Sequence, residues 1–275
     1  MSAKVSVIVT NYNLGRYLPE ALDSVKAQTF KEWECIIVDD GSTDGSKEII
    51  KPYIDADDRF SLLELENGGV VKARNAGIAS SRGQYLLPLD ADDWIEPDYL
   101  EEAVRIIESN PEAKIVYGLA ECFGEGIKPQ LMDLPVFSME MMLARNCIHV
   151  SSLFRREDFD RTGGFSKELS GGLEDWDLWL GVLEKGGSAI RIDRVMLHYR
   201  MRKESRNKQI PTEKMLILRK TIWSRHKSLF SKYFMDPTET QEYRRLDYSY
   251  KKVSKFPTVR FRNAIVSLVR KACNR

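Results

Sequence analysis

Three short apolar runs in the first 93 residues each end in a compact polar cluster, and this arrangement constrains the fold more than any other feature of the chain. Val5–Val9 runs into Thr10-Asn11-Tyr12-Asn13, Trp33–Val38 into Asp39-Asp40-Gly41-Ser42, and Gln84–Leu89 into Asp90-Ala91-Asp92-Asp93. Between them lie amphipathic segments. Leu18, Ala21, Leu22 and Val25 recur at helical spacing, and so do Ile49, Ile50, Tyr53 and Ile54, with Asp44 or Ser46 as the expected N-cap of that second helix. Val71, Arg74, Asn75 and Ile78 open a third. Strands alternating with helices predict a parallel α/β sheet. In such sheets ligands sit outside the carboxyl ends of the strands, so the polar clusters are the candidate site.

The rhythm continues with a strand at Phe60–Leu65, a helix whose first turn holds Pro97 and which runs to Asn110, and a strand at Ala113–Ala120. It then weakens: a loop over 124–135, a helix at Ser138–Arg145, and a strand at Val150–Phe154. Gly171-Gly172 breaks the chain before a helix at Glu174–Glu184, Ala189–Tyr199 is the last clear strand, and helix is expected from Lys214 onward. No stretch reaches the ~18 apolar residues of a membrane span, and Val5–Val9 is too short for a secretory segment. Cys35, Cys122, Cys147 and Cys273 are scattered without paired spacing, which fits a reducing, cytoplasmic setting.

Net charge is only +1, yet it is divided along the chain. From Arg194 to Arg275 there are 22 Lys/Arg against 6 Asp/Glu, and the last 25 residues carry eight basic side chains and no acidic one. The stretch from Phe256 to Arg270 has the apolar face and basic flanks of an interfacial helix. The expectation is a tail that holds the protein peripherally at the inner face of the plasma membrane; the alternative is a solvated basic helix.

Carboxylates gathered at the ends of neighbouring strands repel one another unless a cation or hydrogen-bond donors stand between them. A divalent ion together with nucleotide phosphates meets that demand, because Mg2+ and Mn2+ accept one or two protein carboxylates plus phosphate oxygens. Helix capping by the same aspartates is the plainer alternative.

Taken together, the segments Val5–Asn13, Val38–Asp44 and Leu89–Asp93, with Gly163-Gly164-Phe165 and Glu174-Asp175-Trp176-Asp177-Leu178-Trp179, resemble glycosyltransferase family 2 in order and spacing over roughly the first 200 residues. The resemblance implies a GT-A, Rossmann-like fold: a mixed, mostly parallel sheet flanked by helices, with a C-terminal helical extension. It divides the chain into a catalytic domain over 1–205, with a nucleotide-binding half (1–120) and an acceptor half (121–205), and a basic extension over 206–275. It implies an inverting enzyme that moves a sugar from a UDP-sugar donor to a hydroxyl of a glycan or lipid-linked acceptor, in cell-surface glycan or polysaccharide synthesis.

Matched residue by residue, Thr10 and Tyr12 hold the base, Asp40 accepts the uracil imide hydrogen with Asp39 beside it, and Lys72 and Arg74 serve the pyrophosphate. Asp90 and Ala91 fall near the ribose, and Asp92 is the metal ligand, with His198 as a second candidate for Mn2+ or Mg2+. Asp175 is the general base, Glu174 orients it or binds acceptor, and Trp176 lines the acceptor side. Three other readings compete. A sugar nucleotidyltransferase would need a glycine-rich loop after the first strand, where this chain has Asn11-Tyr12-Asn13-Leu14-Gly15-Arg16. A non-catalytic scaffold or glycan-binding protein would have little use for Asp40, Asp90, Asp92 and Asp175 together. A nucleic-acid binder is disfavoured by the acidic first two-thirds.

Overall fold

A computed structural model describes residues 3–202 and 210–233 of the chain. The strands are β1 (Val5–Asn11), β2 (Trp33–Asp39), β3 (Phe60–Glu64), β4 (Tyr85–Asp90), β5 (Trp94–Ile95), β6 (Ala113–Phe123), β7 (Gln130–Leu131), β8 (Leu153–Arg155) and β9 (Ser188–Arg200). The helices are α1 (Leu18–Lys26), α2 (Ser46–Ala56), α3 (Val70–Ser80), α4 (Tyr99–Ser109), α5 (Met139–Ala144), α6 (Arg156–Thr162), α7 (Glu174–Leu183), α8 (Thr212–Arg225) and α9 (Lys227–Tyr233).

One sheet takes the order β3-β2-β1-β4-β8-β6-β9-β5, with β7 paired to β6. β1 to β4 are mutually parallel, β8 runs antiparallel between β4 and β6, and β6 and β9 are again parallel. This is the mixed, mostly parallel, helix-flanked sheet that the sequence leads one to expect. β1, β2 and β4 are buried on both faces, as parallel strands covered by helices must be, whereas β3 at the sheet edge is partly exposed. Val5, Val7 and Val9 face α1, α2 and α4 in one core cluster; Ile8, Ile36 and Val38 face α3, α6 and α7 in the other. β6 runs through residue 120, so the nucleotide and acceptor halves share a single sheet. Leu218 and Ile222 of α8 and Leu229 of α9 are buried in the second cluster. The tail from residue 234, including the stretch expected as an interfacial helix, lies outside the described residues.

Several boundaries differ from expectation. The strand expected at Val150–Phe154 shortens to Leu153–Arg155, because Ser152 donates its N–H to the Val150 carbonyl and its hydroxyl to the His149 carbonyl, turning the chain there. α4 begins at Tyr99, since the Pro97 carbonyl is taken by the Thr29 N–H and Asp98 stands at the cap position. Neither Asp44 nor Ser46 caps α2; Gly45, at φ +80°, occupies that position, and Asp44 accepts the Ser46 N–H just inside it.

α3 lies so close to the sheet that a Cβ at Gly77 would stand 2.5 Å from Ile8 Cγ2 and 2.7 Å from Val38 Cγ2. Gly77→Ala is therefore expected to destabilise the fold by about 1–3 kcal/mol through overpacking, despite alanine's better helix propensity. A urea midpoint equal to or above that of the parent chain would contradict this packing.

Candidate active site

Short polar side chains tie the loops after β1 and β2 together. Asn11 at the end of β1 donates from Nδ2 to Asp39 Oδ1 at 2.8 Å and to Ser42 Oγ at 3.0 Å. The Asn13 N–H donates to the same Ser42 hydroxyl, and Asn13 Oδ1 accepts the Thr43 N–H. Asn13 does so at φ +52°, a left-handed conformation that asparagine tolerates better than most residues. Asp39 is fully buried and also accepts the Ser42 N–H. It braces the loop from behind and is not among the residues lining the cleft, unlike Asp40.

Asp40 takes the N–H groups of Gly68 and Gly69 at 2.9 and 2.8 Å, one on each carboxylate oxygen, and its backbone carbonyl accepts from Asn67 Nδ2. Backbone donors thus satisfy a buried carboxylate that forms no ion pair among the described residues. Tyr12 stands at the mouth of the same cleft with its ring 50% exposed, a rigid aromatic face open to solvent. Among the candidates on α3, Arg74 faces the cleft. Lys72 does not: it is exposed and donates Nζ to the Glu66 carbonyl at 2.7 Å. Two residues along a helix differ by about 200° in direction, so the pair cannot share a face. Ala91 is buried in the first core cluster and contributes backbone, its N–H bonding the Thr10 carbonyl.

Arg74 is the centre of the arrangement. It is 2% exposed and donates Nη2 to Asp90 Oδ1 at 2.7 Å and Nη1 to Glu174 Oε1 at 2.9 Å; Thr10 Oγ1 also donates to Asp90 Oδ1. Burial works against the guanidinium charge, but Asp90, Glu174 and Asp175 more than offset it and hold Arg74 firmly protonated. The arginine therefore joins the nucleotide half to the first turn of α7, 100 residues further along the chain.

At the end of β4, Asp92 and Asp93 are both buried. Burial raises the Asp92 carboxyl and the Asp90 charge raises it further, while Arg202, ion-paired to Asp92, pulls the other way. Asp93 is raised well above the ordinary carboxyl range by burial and then by Asp92 and Asp90, although its Oδ1 accepts the Arg200 N–H. Arg200 also braces this loop from Nε to the Asp92 carbonyl at 2.9 Å. A raised carboxyl pKa means that the folded state holds the proton more tightly than the unfolded chain. The ionised form then costs stability above the unfolded value, and the cost fades as pH falls through the folded one. Asp93→Asn, which keeps an oxygen for the Arg200 N–H, is expected to raise Tm at neutral pH, with the gain shrinking as pH is lowered. A pH-independent difference in calorimetric Tm would contradict this.

Two clefts meet at these groups. The first, about 400 Å³, is lined by Thr10, Tyr12, Asp40, Asn67, Asp92 and Arg202 among others. The second, about 360 Å³, is lined by Asn146, His149, Glu174 and Asp175 among others. Arg74, Asp90 and Tyr199 line both. In the second cleft Asp175 Oδ2 accepts from Asn146 Nδ2 at 3.0 Å, and Oδ1 accepts the Trp176 N–H at 2.8 Å. His149 is held neutral, its pKa lowered to about 4 by burial, with Gly118's carbonyl opposing the shift.

Besides Asp39 and Lys72, two more expected site residues lie elsewhere. His198 stacks on Trp94 with ring centroids 3.5 Å apart, its Nε2 2.7 Å from Glu96 and its Nδ1 3.3 Å from Glu121. Along β9 side chains alternate between faces, so Tyr199 enters the clefts and His198 turns away from Asp92. Trp176 is 4% exposed, with Nε1 donating to the Met142 carbonyl at 2.6 Å; it is a core residue, not a stacking platform for an acceptor. Tyr199, Arg202, Asn67 and Asn146 are site residues that the sequence reading did not single out.

Among the described residues no group of three or more His, Cys, Asp or Glu side chains forms a protein metal cage. Asp92, with Asp90 beside it, nevertheless fits a Mg2+ or Mn2+ that takes its other ligands from phosphate and water. Asp90, Asp92 and Asp93 crowd together, and burial with their mutual repulsion raises Asp92 and Asp93 even with a guanidinium against Asp92, which is the kind of site such an ion would relieve.

A mostly parallel sheet with acidic strand ends opening on two adjoining clefts defines the GT-A class of transferase folds. The structure is similar to Staphylococcus aureus TarS, residues 1–349, in complex with UDP-GlcNAc (TM-score 0.65, 20% identity, covering 84% of this chain and 73% of that one). It is also similar to the mannosyltransferase PcManGT of Pyrobaculum calidifontis in complex with GDP-Man and Mn2+ (TM-score 0.59, 19% identity, 95% and 83% covered). In sequence it is 29% identical over 238 residues to TuaG of Bacillus subtilis, named as a teichuronic acid biosynthesis glycosyltransferase, covering 85% of this chain and 91% of TuaG. Other curated relatives are longer, and the chain spans 17% and 29% of two of them. A family model described as Glycosyl transferase family 2 matches residues 6–163, and the chain belongs to that family.

Proposed function

We propose that the chain transfers a sugar from a UDP-sugar donor to an acceptor hydroxyl, with inversion at the anomeric carbon. The observation that carries this reading is the junction of the two clefts: Asp40 and Tyr12 at the far end of one, Asp175 in the other, and Arg74, Asp90 and Tyr199 lining both. The first cleft takes the nucleotide, with the base against Tyr12 and its imide N–H toward Asp40, whose oxygens retain lone pairs beyond those used by Gly68 and Gly69. Thr10 and Asp90 lie toward the ribose, and Arg74 and Arg202 supply positive charge near the diphosphate.

Asp92, with Asp90 beside it, would hold a divalent ion, which would supply Lewis-acid neutralisation of the leaving diphosphate. That TarS is described with UDP-GlcNAc and PcManGT with GDP-Man and Mn2+ supports a nucleotide-sugar donor and a divalent ion here. Asp175 accepts the proton of the acceptor hydroxyl as the bond to the sugar forms, while Asn146 and the first turn of α7 fix its carboxylate. The acceptor oxygen, deprotonated by that base, attacks the anomeric carbon opposite the leaving diphosphate, and this single displacement gives inversion. Glu174, bound to Arg74, positions that turn rather than reacting. The likeness to TuaG supports an acceptor in cell-surface polysaccharide synthesis, and the basic tail supports work at the inner face of a membrane. No described helix is long and apolar enough to cross one.

The test is a panel of nucleotide-sugars with manganese, read by donor hydrolysis and by thermal stabilisation, which reaches about 2.7 kcal/mol at a hundredfold excess of ligand over Kd. A UDP-sugar should score and its GDP and CDP counterparts should not. Asp92→Ala should abolish the manganese dependence of UDP binding; undiminished dependence would move the metal elsewhere.

A further inference from the structure

We propose that the outward face of α8 is a docking surface for an anionic lipid bilayer. α8 carries apolar side chains on two opposite sides. Leu218 and Ile222 are buried in the second core cluster, whereas Leu216, Ile217 and Trp223 point away from it and are 55%, 62% and 49% exposed. Seven residues bring a helix round to within about 20° of its starting direction, so Leu216 and Trp223 lie one above the other, with Lys220 between them and Ile217 on the flank. A helix that is apolar on both sides calls for a cover on both.

The charge around this face says what the cover is. Between Thr212 and Tyr233 there are six basic side chains and a single acidic one, Glu213. Arg219 and Lys220 are exposed beside the apolar residues, and Lys227 Nζ sits 5.6 Å from the centre of the Trp223 ring. An exposed tryptophan flanked by aliphatics and lysines has the composition of an interfacial anchor. A second copy of the chain would bring one basic face against another. The chain's own segment 234–275 would do the same, with ten basic residues against four acidic ones. A bilayer with anionic headgroups matches both the apolar and the charged character. Met215, one residue before Leu216, lines the cleft that holds Asp175, so a bilayer seated on α8 lies next to that cleft. The exposed side chains of this face are not among those lining the two clefts, and its existence does not depend on the sugar-transfer reading.

Flotation of the full chain with phosphatidylcholine vesicles, with and without phosphatidylglycerol, tests the proposal alongside the double substitution Ile217→Ser, Trp223→Ser. The parent chain should float only with anionic vesicles, and the double variant should partition at least about tenfold less with Tm unchanged. Donor hydrolysis in vesicle-free solution should be equal in the two, which separates this surface from the active site. Equal flotation of variant and parent would assign binding to the tail and overturn the proposal. So would failure of the parent chain to float, a dimer that the substitutions dissolve, or a fall in Tm showing that the face is covered by the chain itself.

Discussion

Asp175→Asn is expected to lower transfer about 10²–10⁴-fold while leaving UDP affinity unchanged, the range by which a positioned general base accelerates proton transfer. The substitution is a narrow one. The side-chain oxygen that accepts the Trp176 N–H is retained, so the start of α7 keeps its local bond; the nitrogen that replaces Oδ2 can neither take a proton nor accept from Asn146 Nδ2. Single-turnover transfer measures the first quantity and calorimetric titration with UDP and manganese the second. Transfer at the parent rate would remove Asp175 from the chemistry. A parallel loss of UDP affinity would show that the residue acts on the donor side instead.

The largest effect on stability is expected at Arg74. Its guanidinium is buried between Asp90 and Glu174, so Arg74→Ala leaves a buried carboxylate on α7 without its cation and is expected to cost about 3–5 kcal/mol. Removing both ends of the α7 contact, as in Arg74→Ala with Glu174→Ala, should cost less than the sum of the single changes by about 0.5–3 kcal/mol, the range for directly coupled pairs. Urea denaturation of the four chains measures the coupling. Strict additivity would mean that Arg74 and Glu174 do not sustain one another. Activity should fall in both single variants, since Glu174 directly precedes Asp175 on the same helical turn.

Much of this site was legible in the sequence because parallel strands deliver their following loops to one edge. Three apolar runs ending in polar clusters were enough to bring Thr10, Asp40 and Asp90 together. What was hidden depended on direction rather than position. Asp39 and Asp40 are neighbours, but one turns into the protein and the other into the cleft. The same alternation separates His198 from Tyr199, and helical rotation separates Lys72 from Arg74. Counting in twos along β9 would have favoured one of the two neighbours, but not said which. The partnership of Arg74 with Glu174 spans 100 residues, and no local pattern reports it. Trp176 and Trp179 read equally well as ligand platforms or as core from spacing alone; their indole N–H groups, both given to backbone carbonyls, decide for the core.

The fastening of the loop after β1 to the loop after β2 has a consequence for how a nucleotide is received. Asn11, Asn13 and Ser42 hold one another, and Asp40 is anchored to Gly68 and Gly69, all through bonds within the chain itself. The conformational entropy of ordering this end is therefore spent in folding and need not be spent again on contact, so recognition of the nucleoside resembles a key meeting a finished lock. Whatever adjustment accompanies the sugar and its diphosphate falls at the other end of the cleft, where Arg202 leans on Asp92.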